Sequence, residues 1–328
     1  MGEGKPVLVV IVTTNDGRWL GSCLESLRSS RYSGFEVAVV LNGCDDDSAR
    51  ICAASPLPLR VFQSPRRLGF AAANNLAIAG AEERGHRYVY LLNPDTRIHC
   101  DAIGALAECL EACPEYGILG SWQAEYEDET WSQPTEWNRE TLGEARDLGG
   151  RSRRAGPFTV LDHYYVQGAA LMMRVSLVPR IGMLDRFYGT FYEETDLCRR
   201  ALLAGWKVGL LFDSKVRHFG GGNWKRSRQA QEERDRLFLR NQFYYLLSAP
   251  EALGNPVAAA WRVVRGQIGD LASRRRHFVL PLWRYPMVLA SILRHLGYLS
   301  EFRARNFAIR DGRTLDPAQW SIGPGQEI

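Results

Sequence analysis

The residues best equipped for chemistry fall in three short stretches. Leu92-Asn93-Pro94-Asp95-Thr96 sets a carboxylate two residues beyond an amide, a spacing that offers oxygen ligands to a hard divalent cation. Phe191-Tyr192-Glu193-Glu194-Thr195-Asp196 crowds three acids at a predicted helix start, where the macrodipole favours negative charge. One of those carboxylates is a candidate general base toward a hydroxyl group. Val216-Arg217-His218-Phe219-Gly220-Gly221-Gly222 places a lone histidine beside a glycine run, and a neutral imidazole suits a metal or a diphosphate. Each stretch also has a plain structural reading. Asn-Pro-Asp-Thr is turn chemistry, an acidic first turn is a common helix start, and a single histidine at a strand end needs no ligand.

The elements that must position these residues alternate in type. Val7-Leu8-Val9-Val10-Ile11-Val12 is an unbroken apolar run, as expected of a strand buried on both faces. Leu20, Leu24 and Leu27 follow at helical spacing. Strands are predicted over Val37–Leu41, Leu59–Phe62 and Tyr88–Leu92, with helices over Phe70–Ala81 and about Ala102–Ala112. Repeated strand–helix units imply an α/β fold with a mainly parallel central sheet and helices on both faces. Ligands of such sheets sit beyond the carboxyl ends of the strands. Three polar loops fall there: Thr13-Thr14-Asn15-Asp16, Asn42-Gly43-Cys44-Asp45-Asp46-Asp47 and Asn93-Pro94-Asp95-Thr96. From about 123 to 165 the pattern dissolves into a variable loop or lid region. Order returns at Val166–Met173, at a helix near Glu194 and at a strand over Trp206–Phe212.

Bulk properties narrow the classes. At 328 residues, 45% hydrophobic and 24% charged, the chain has the composition of a globular protein with a real core. Seven cysteines at irregular spacing, with no C-x-x-C pair, suit neither a zinc site nor a secreted disulfide framework. No signal-peptide pattern or membrane-span run is found, so the expected location is cytoplasmic. The charge excess is small, 41 basic against 37 acidic residues, and no nucleic-acid-binding module appears. Val257–Arg310 is different, with ten Arg, no Lys and two acids among aromatic and aliphatic residues. That stretch fits peripheral contact with an anionic membrane on the inner face of the plasma membrane, and fits equally a helical subdomain with its arginines in solvent or on acidic partners.

The motifs gain meaning from their order. Thr-x-Asn after the first strand, Leu68-Gly69-Phe70-Ala71-Ala72-Ala73-Asn74-Asn75, the Asn93–Asp95 element, Gly168-Ala169-Ala170-Leu171-Met172-Met173-Arg174, and Glu193–Leu197 followed by Ala204-Gly205-Trp206 occur in sequence. Together they resemble the GT-A fold family 2 glycosyltransferases, in particular the bacterial rhamnosyltransferase-like branch. The resemblance spans about Pro6 to Leu247. It implies a GT-A domain over 1–247, followed by a helical Arg- and aromatic-rich region over 248–328.

That resemblance implies roles for particular residues. Thr13, Asn15 and Asn42 are expected at the nucleoside. Leu41 replaces a carboxylate that commonly reads the base, and Arg67 replaces an Asn and is expected at a phosphate or the base. Asn93 and Asp95 match the family's Asp-x-Asp-like element, with Asp95 and His218 as ligands of Mg²⁺ or Mn²⁺. Glu194 takes the position of the catalytic base, with Asp196 as the fallback. Glu193 and Trp122 are expected on the acceptor side. The implied reaction is inverting transfer of a hexose or deoxyhexose, such as rhamnose, from a dTDP- or UDP-type donor to a hydroxyl acceptor. A lipid-linked acceptor in cell-surface polysaccharide or glycoconjugate synthesis suits the basic tail. A tailoring enzyme for a small natural product and a non-catalytic nucleotide-sugar-binding module are the alternatives. A dinucleotide-dependent oxidoreductase is excluded because no G-x-G-x-x-G follows the first strand.

Overall fold

The computed structural model describes residues 6–136, 138–139, 142–143, 152–220, 227–248, 286, 290, 293–294 and 296–313. The first strand, β1 (Val7–Thr13), is buried along its whole length, and its alternating side chains feed two different apolar layers. Val7, Val9 and Ile11 pack with α1 (Gly17–Arg28) and α4 (Ala102–Ala112). Leu8 and Val10 pack with α3 (Phe70–Ile78), the short α5 (Val178–Ile181) and α6 (Glu193–Leu203). Each fully buried Leu or Ile in these layers is worth about 1.5–3 kcal/mol relative to exposure. The unbroken apolar run therefore becomes a central strand clad by helices on both sides.

One sheet runs β3 (Leu59–Ser64), β2 (Phe35–Asn42), β1, β4 (Tyr88–Leu92), β9 (Ala170–Arg174), β6 (Tyr116–Glu125), β10 (Lys207–His218), β8 (Phe158–Asp162), β7 (Ser152–Ala155), and the short β5 (Thr96–Ile98) pairs the end of β10. The β3-β2-β1-β4 half is parallel, as is the β6–β10 pair. Between them β9 runs antiparallel to both neighbours. A second helix, α2 (Ser48–Ala53), follows the β2 loop. The expected α/β architecture with helices on both faces is present.

The sequence pattern missed β6 and the β7–β8 hairpin. Gly117, Gly120, Ser121 and Gln123 dilute the apolar signal of β6. Gly120 has a packing reason, since a Cβ there would lie 2.7 Å from the Cβ of Val166. Part of the expected lid, residues 152–162, instead extends the sheet through β8 on β10, and the exposed arginines of β7 form its charged edge. Strand β10 runs to His218, six residues past the predicted end. A register shift between Leu211 and Lys215 interrupts it, where the Ser214 hydroxyl meets Ser121 (2.8 Å) and the Ala102 carbonyl (3.0 Å). Such a bulge re-aims the strand beyond it, and here that stretch carries Arg217 and His218.

The C-terminal region folds back on the sheet domain. Helix α7 (Arg228–Leu247) and helix α8 (Leu296–Arg310) build a third apolar cluster from Phe187, Tyr188, Leu239, Tyr244, Leu299 and Phe302. Residues 249–285 of the basic stretch lie outside the described residues. Its last part, α8, is docked against α6. No helix among the described residues is long and apolar enough to cross a membrane.

The dock is electrostatic at its centre. Asp196, fully buried, accepts from Arg199 (2.8 Å), Arg200 (2.7 Å) and Arg305 of α8 (3.0 Å), and Arg305 also pairs with Asp185. Burial pushes the Asp196 carboxyl upward, but Arg305, Arg200 and Arg199 outweigh it and hold it well below the usual carboxylate range. Removing one partner of a buried pair leaves an uncompensated charge. Arg305→Met should therefore lower unfolding free energy by about 3–5 kcal/mol, read as a shift in the denaturation midpoint against the parent chain.

Candidate active site

The three polar loops are tied together before any ligand is considered. Asn15, left-handed with φ 61°, pairs its side-chain amide with Asp45 and accepts from the Asp45 N–H (2.8 Å). Asn42, buried at the end of β2, donates to Thr14 Oγ1 (3.3 Å) and accepts from the Leu68 N–H (2.7 Å). Thr13 is buried beneath them and faces Ser48 (3.4 Å). Arg67 is exposed on the neighbouring loop. Four residues expected at the donor nucleoside or phosphate thus share one edge of the parallel sheet, although Asn42 and Thr13 spend their polar groups on holding loops in place.

Asp95 and His218 form the candidate metal pair. Asp95 is 7% exposed and its Oδ1 lies 3.3 Å from His218 Nε2. The other ring nitrogen, Nδ1, donates to Gln123 Oε1 at 2.9 Å, because that oxygen can only accept. Nε2 is buried beside the Asp95 carboxylate, with no aligned hydrogen-bond partner among the described residues. A carboxylate and an imidazole nitrogen so placed fit a bound cation, and a hydrogen bond to the other nitrogen of a liganding histidine is the usual support for one. Burial pushes the Asp95 carboxyl up, yet His218 and the backbone N–H groups of Asp95 and Gly220 prevail and keep it below its ordinary value. Gln123 escaped detection because β6 itself was not recognised.

Glu194 stands at the same end, linked through the start of β9. The Asn93 N–H donates to the Ala169 carbonyl (2.9 Å), and a Cβ placed on the neighbouring Gly168 would lie 3.4 Å from the Glu194 side chain and 3.5 Å from Phe70. Glu194 Oε2 is buried and free of hydrogen bonds among the described residues. Burial raises the Glu194 pKa, partly offset by the backbone N–H groups of Glu194, Thr195 and Gly168. Glu193 is 3% exposed, and burial together with the charge of Glu194 pushes its pKa well above normal. Both carboxyls are thus shifted toward the protonated form, Glu193 further than Glu194, which has the support of more backbone N–H groups.

Two expected site residues are engaged in pairing or packing. The oxygens of Asp196 are consumed by three arginines, and it has no exposed surface. Trp122 packs on Phe212 (ring centroids 5.4 Å apart) at the border of the second apolar layer. Trp131 lies against Arg217 and His99.

The segment leading into Glu194 is strained and braced. Phe191 and Tyr192 both have φ 73°, a left-handed conformation that costs roughly 1–2 kcal/mol per non-glycine residue. Asn241, fully buried in α7, gives its amide to the carbonyls of Tyr188 (2.8 Å), Thr190 (2.9 Å) and Phe191 (2.7 Å). Arg240 adds bonds to Phe187 (3.1 Å) and Tyr188 (3.0 Å). From the opposite side α3 begins at Gly69, φ 78°, where a Cβ would lie 3.2 Å from Gly189. The Arg240-Asn241 pair thereby shapes the backbone immediately before the acidic pair.

The fold and this edge of the sheet define a GT-A glycosyltransferase. Residues 8–178, more than half of the sequence, match Glycosyl transferase family 2, and the chain belongs to that family. A relative from Mycobacterium tuberculosis, N-acetylglucosaminyl-diphospho-decaprenol L-rhamnosyltransferase, is 23% identical over 229 residues, covering 64% of this chain and 75% of its own. Glycosyltransferase GlyG of Streptococcus pneumoniae serotype 4 is 24% identical over 119 residues, covering 35% of this chain and 38% of its own. Among solved structures, the mannosyltransferase PcManGT from Pyrobaculum calidifontis in complex with GDP-Man and Mn²⁺ superposes with TM-score 0.54 at 16% identity, covering 93% and 86% of the two chains. S. aureus TarS 1–349 gives 0.52 at 15% identity, covering 93% and 90%.

Two outcomes test this geometry. Asn241→Leu should preserve the circular dichroism of the parent yet lose roughly 100-fold in transfer rate, the cost of a misplacement near 1 Å. Glu193 has a folded pKa above its unfolded one, so its stabilising contribution is complete below the unfolded pKa and fades as pH rises through the folded value. Glu193→Gln should therefore match the parent melting temperature under acidic conditions and exceed it increasingly as pH rises.

Proposed function

We propose that this glycosyltransferase moves a hexosyl or deoxyhexosyl group from a nucleoside-diphosphate sugar to an acceptor hydroxyl with inversion at the anomeric carbon. The observation that carries the proposal is the joining of two sites through β9. The Asp95–His218 pair and the unpartnered oxygen of Glu194 meet at one sheet edge through Asn93, Ala169 and Gly168. Asp95 and His218 would hold Mg²⁺ or Mn²⁺, which supplies charge neutralisation to a departing diphosphate. Asn93, Asn15 and Arg67 are assigned to the donor, with Thr13 and Asn42 shaping its loops. Glu194 takes the proton from the acceptor oxygen as that oxygen attacks the anomeric carbon, and the donor's glycosidic C–O bond to the diphosphate breaks on the opposite face. A single base and direct displacement give inversion.

The relatives support the finer assignment. The mycobacterial rhamnosyltransferase, by its name, acts on a lipid-linked N-acetylglucosaminyl diphosphate, which favours a deoxyhexose donor of dTDP or UDP type and a lipid-linked acceptor here. The Pyrobaculum enzyme was solved with a nucleotide sugar and Mn²⁺. A place at the cytoplasmic face of the membrane follows from such an acceptor.

Glu194→Gln should reduce turnover by about 10²–10⁴-fold, the span of a lost general base, while nucleotide binding in the presence of Mn²⁺ stays at the parent level. Asp95→Asn should instead abolish the Mn²⁺-dependent part of nucleoside-diphosphate binding. A thermal-shift panel of nucleoside diphosphates and their sugars with Mn²⁺, followed by single-turnover assays of both variants, checks both outcomes. Normal turnover in Glu194→Gln would refute the base assignment.

A further inference from the structure

The β5–β10 ribbon has two unlike faces. Thr96, Ile98, Val216 and His218 share the inward face, where Ile98 and Val216 join the core. The other face carries only basic groups. Arg97 stands directly opposite Arg217 in the antiparallel register, and the next rung brings His99 beside Lys215, whose carbonyl accepts the His99 N–H at 2.9 Å. Like charges directly opposite each other in an antiparallel pair destabilise it. A fold that keeps three full cations on two adjacent rungs requires a compensating feature.

The described residues contain little compensation. No carboxylate among them forms an ion pair with Arg97, Lys215 or Arg217. Asp101 approaches His99 (3.6 Å), but Arg31 already engages it (2.8 Å). Arg217 is only 9% exposed, and its Nε donor is buried with no acceptor. Its one neighbour of note is the Trp131 ring, 4.8 Å from the guanidinium carbon. A cation–π contact of this kind is worth about 0.5–2 kcal/mol, and it leaves every N–H of the guanidinium plane free for an in-plane acceptor. Trp131 itself has φ 58°, a strained backbone for a bulky residue, and its ring also meets His99 edge-on at 5.3 Å. Strain spent to hold an aromatic wall against an unpaired buried guanidinium is the signature of a ligand site rather than of packing.

We propose that Arg97, Lys215 and Arg217, walled by Trp131 and His99, form an anion site for a phosphate or diphosphate group. A tetrahedral dianion matches the charge of the ribbon and the fork geometry of a guanidinium, and it would satisfy the buried Nε donor. The site lies on the ribbon face opposite His218 and is separate from the donor edge. It uses neither Asp95 nor Glu194, so its failure would leave those assignments untouched. Phosphate can reach it free in solution or as the headgroup of a membrane lipid.

The test uses the full chain in phosphate-free buffer with EDTA. Inorganic phosphate and diphosphate are titrated calorimetrically, and phosphatidylcholine vesicles with and without phosphatidic acid are used for co-sedimentation. The parent should bind one soluble anion or the phosphatidic acid vesicles saturably, and Arg217→Gln should weaken that binding roughly tenfold or more, as loss of a charge-assisted contact requires. Arg97→Gln, on the more exposed strand, should do the same and guards against misfolding of the first variant. Nucleotide binding with Mn²⁺ should remain unchanged in both. Soluble anion binding alone assigns the site to a free phosphate group, and vesicle binding alone assigns it to a lipid headgroup. Absence of both, or equal binding by the parent and both variants, overturns the proposal.

Discussion

A carboxylate sealed from water, that of Asp196, gathers the guanidinium groups of Arg199, Arg200 and Arg305. A charge so placed must be paired, because the cost of stranding any one member is several kcal/mol. The pairing fixes the first turn of α6 to α8, and through Arg305 and Asp185 to the segment before the acidic pair. Two residues from this anchor stands Glu194. The rotation of its carboxylate toward Gly168 follows from where Asp196 is held, since residues two apart point some 200° from each other around a helix. Asp196 thus sets the direction of Glu194 by its own immobility.

The same principle, polar groups spent on geometry so that one group remains free, recurs at the candidate metal pair. Gln123 occupies Nδ1 of His218 and so leaves Nε2 toward Asp95. Three backbone N–H groups favour the ionised form of Glu194, while Glu193 has one and also faces the charge of Glu194. Two adjacent residues of the same type are set apart by hydrogen bonding and by charge.

How much of this was legible in advance depends on the range of the interaction. The parallel half of the sheet could be read from residues 7–92, because a strand buried on both faces writes an unbroken apolar run. The Asn93–Asp95 element and the acid cluster were visible as local patterns at predicted element ends. Strand β6 was not, since its glycines and polar residues answer to Val166 and to the serine pair, contacts that local periodicity does not encode. Asp196 looked as eligible as Glu194, because the deciding partner lies 109 positions downstream. Asn241 was visible only as one amide among the polar residues of its helix, and its three acceptors lie about fifty residues earlier in the chain.

That distance also bears on synthesis. A chain made from its N-terminus can complete β1 to β4, with both apolar layers beginning to close, long before α8 exists. Helix α6 emerges with Arg199 and Arg200 beside Asp196 from the start, as neighbours on one turn. Its third cation arrives only when residue 305 leaves the ribosome, and the brace from Asn241 comes late as well. The parallel half of the sheet can therefore take shape while the helix bearing Glu194 is still waiting for its anchor. Domains fold as units in the order of synthesis, and here a helix made late is the one that fixes the turn carrying Glu194.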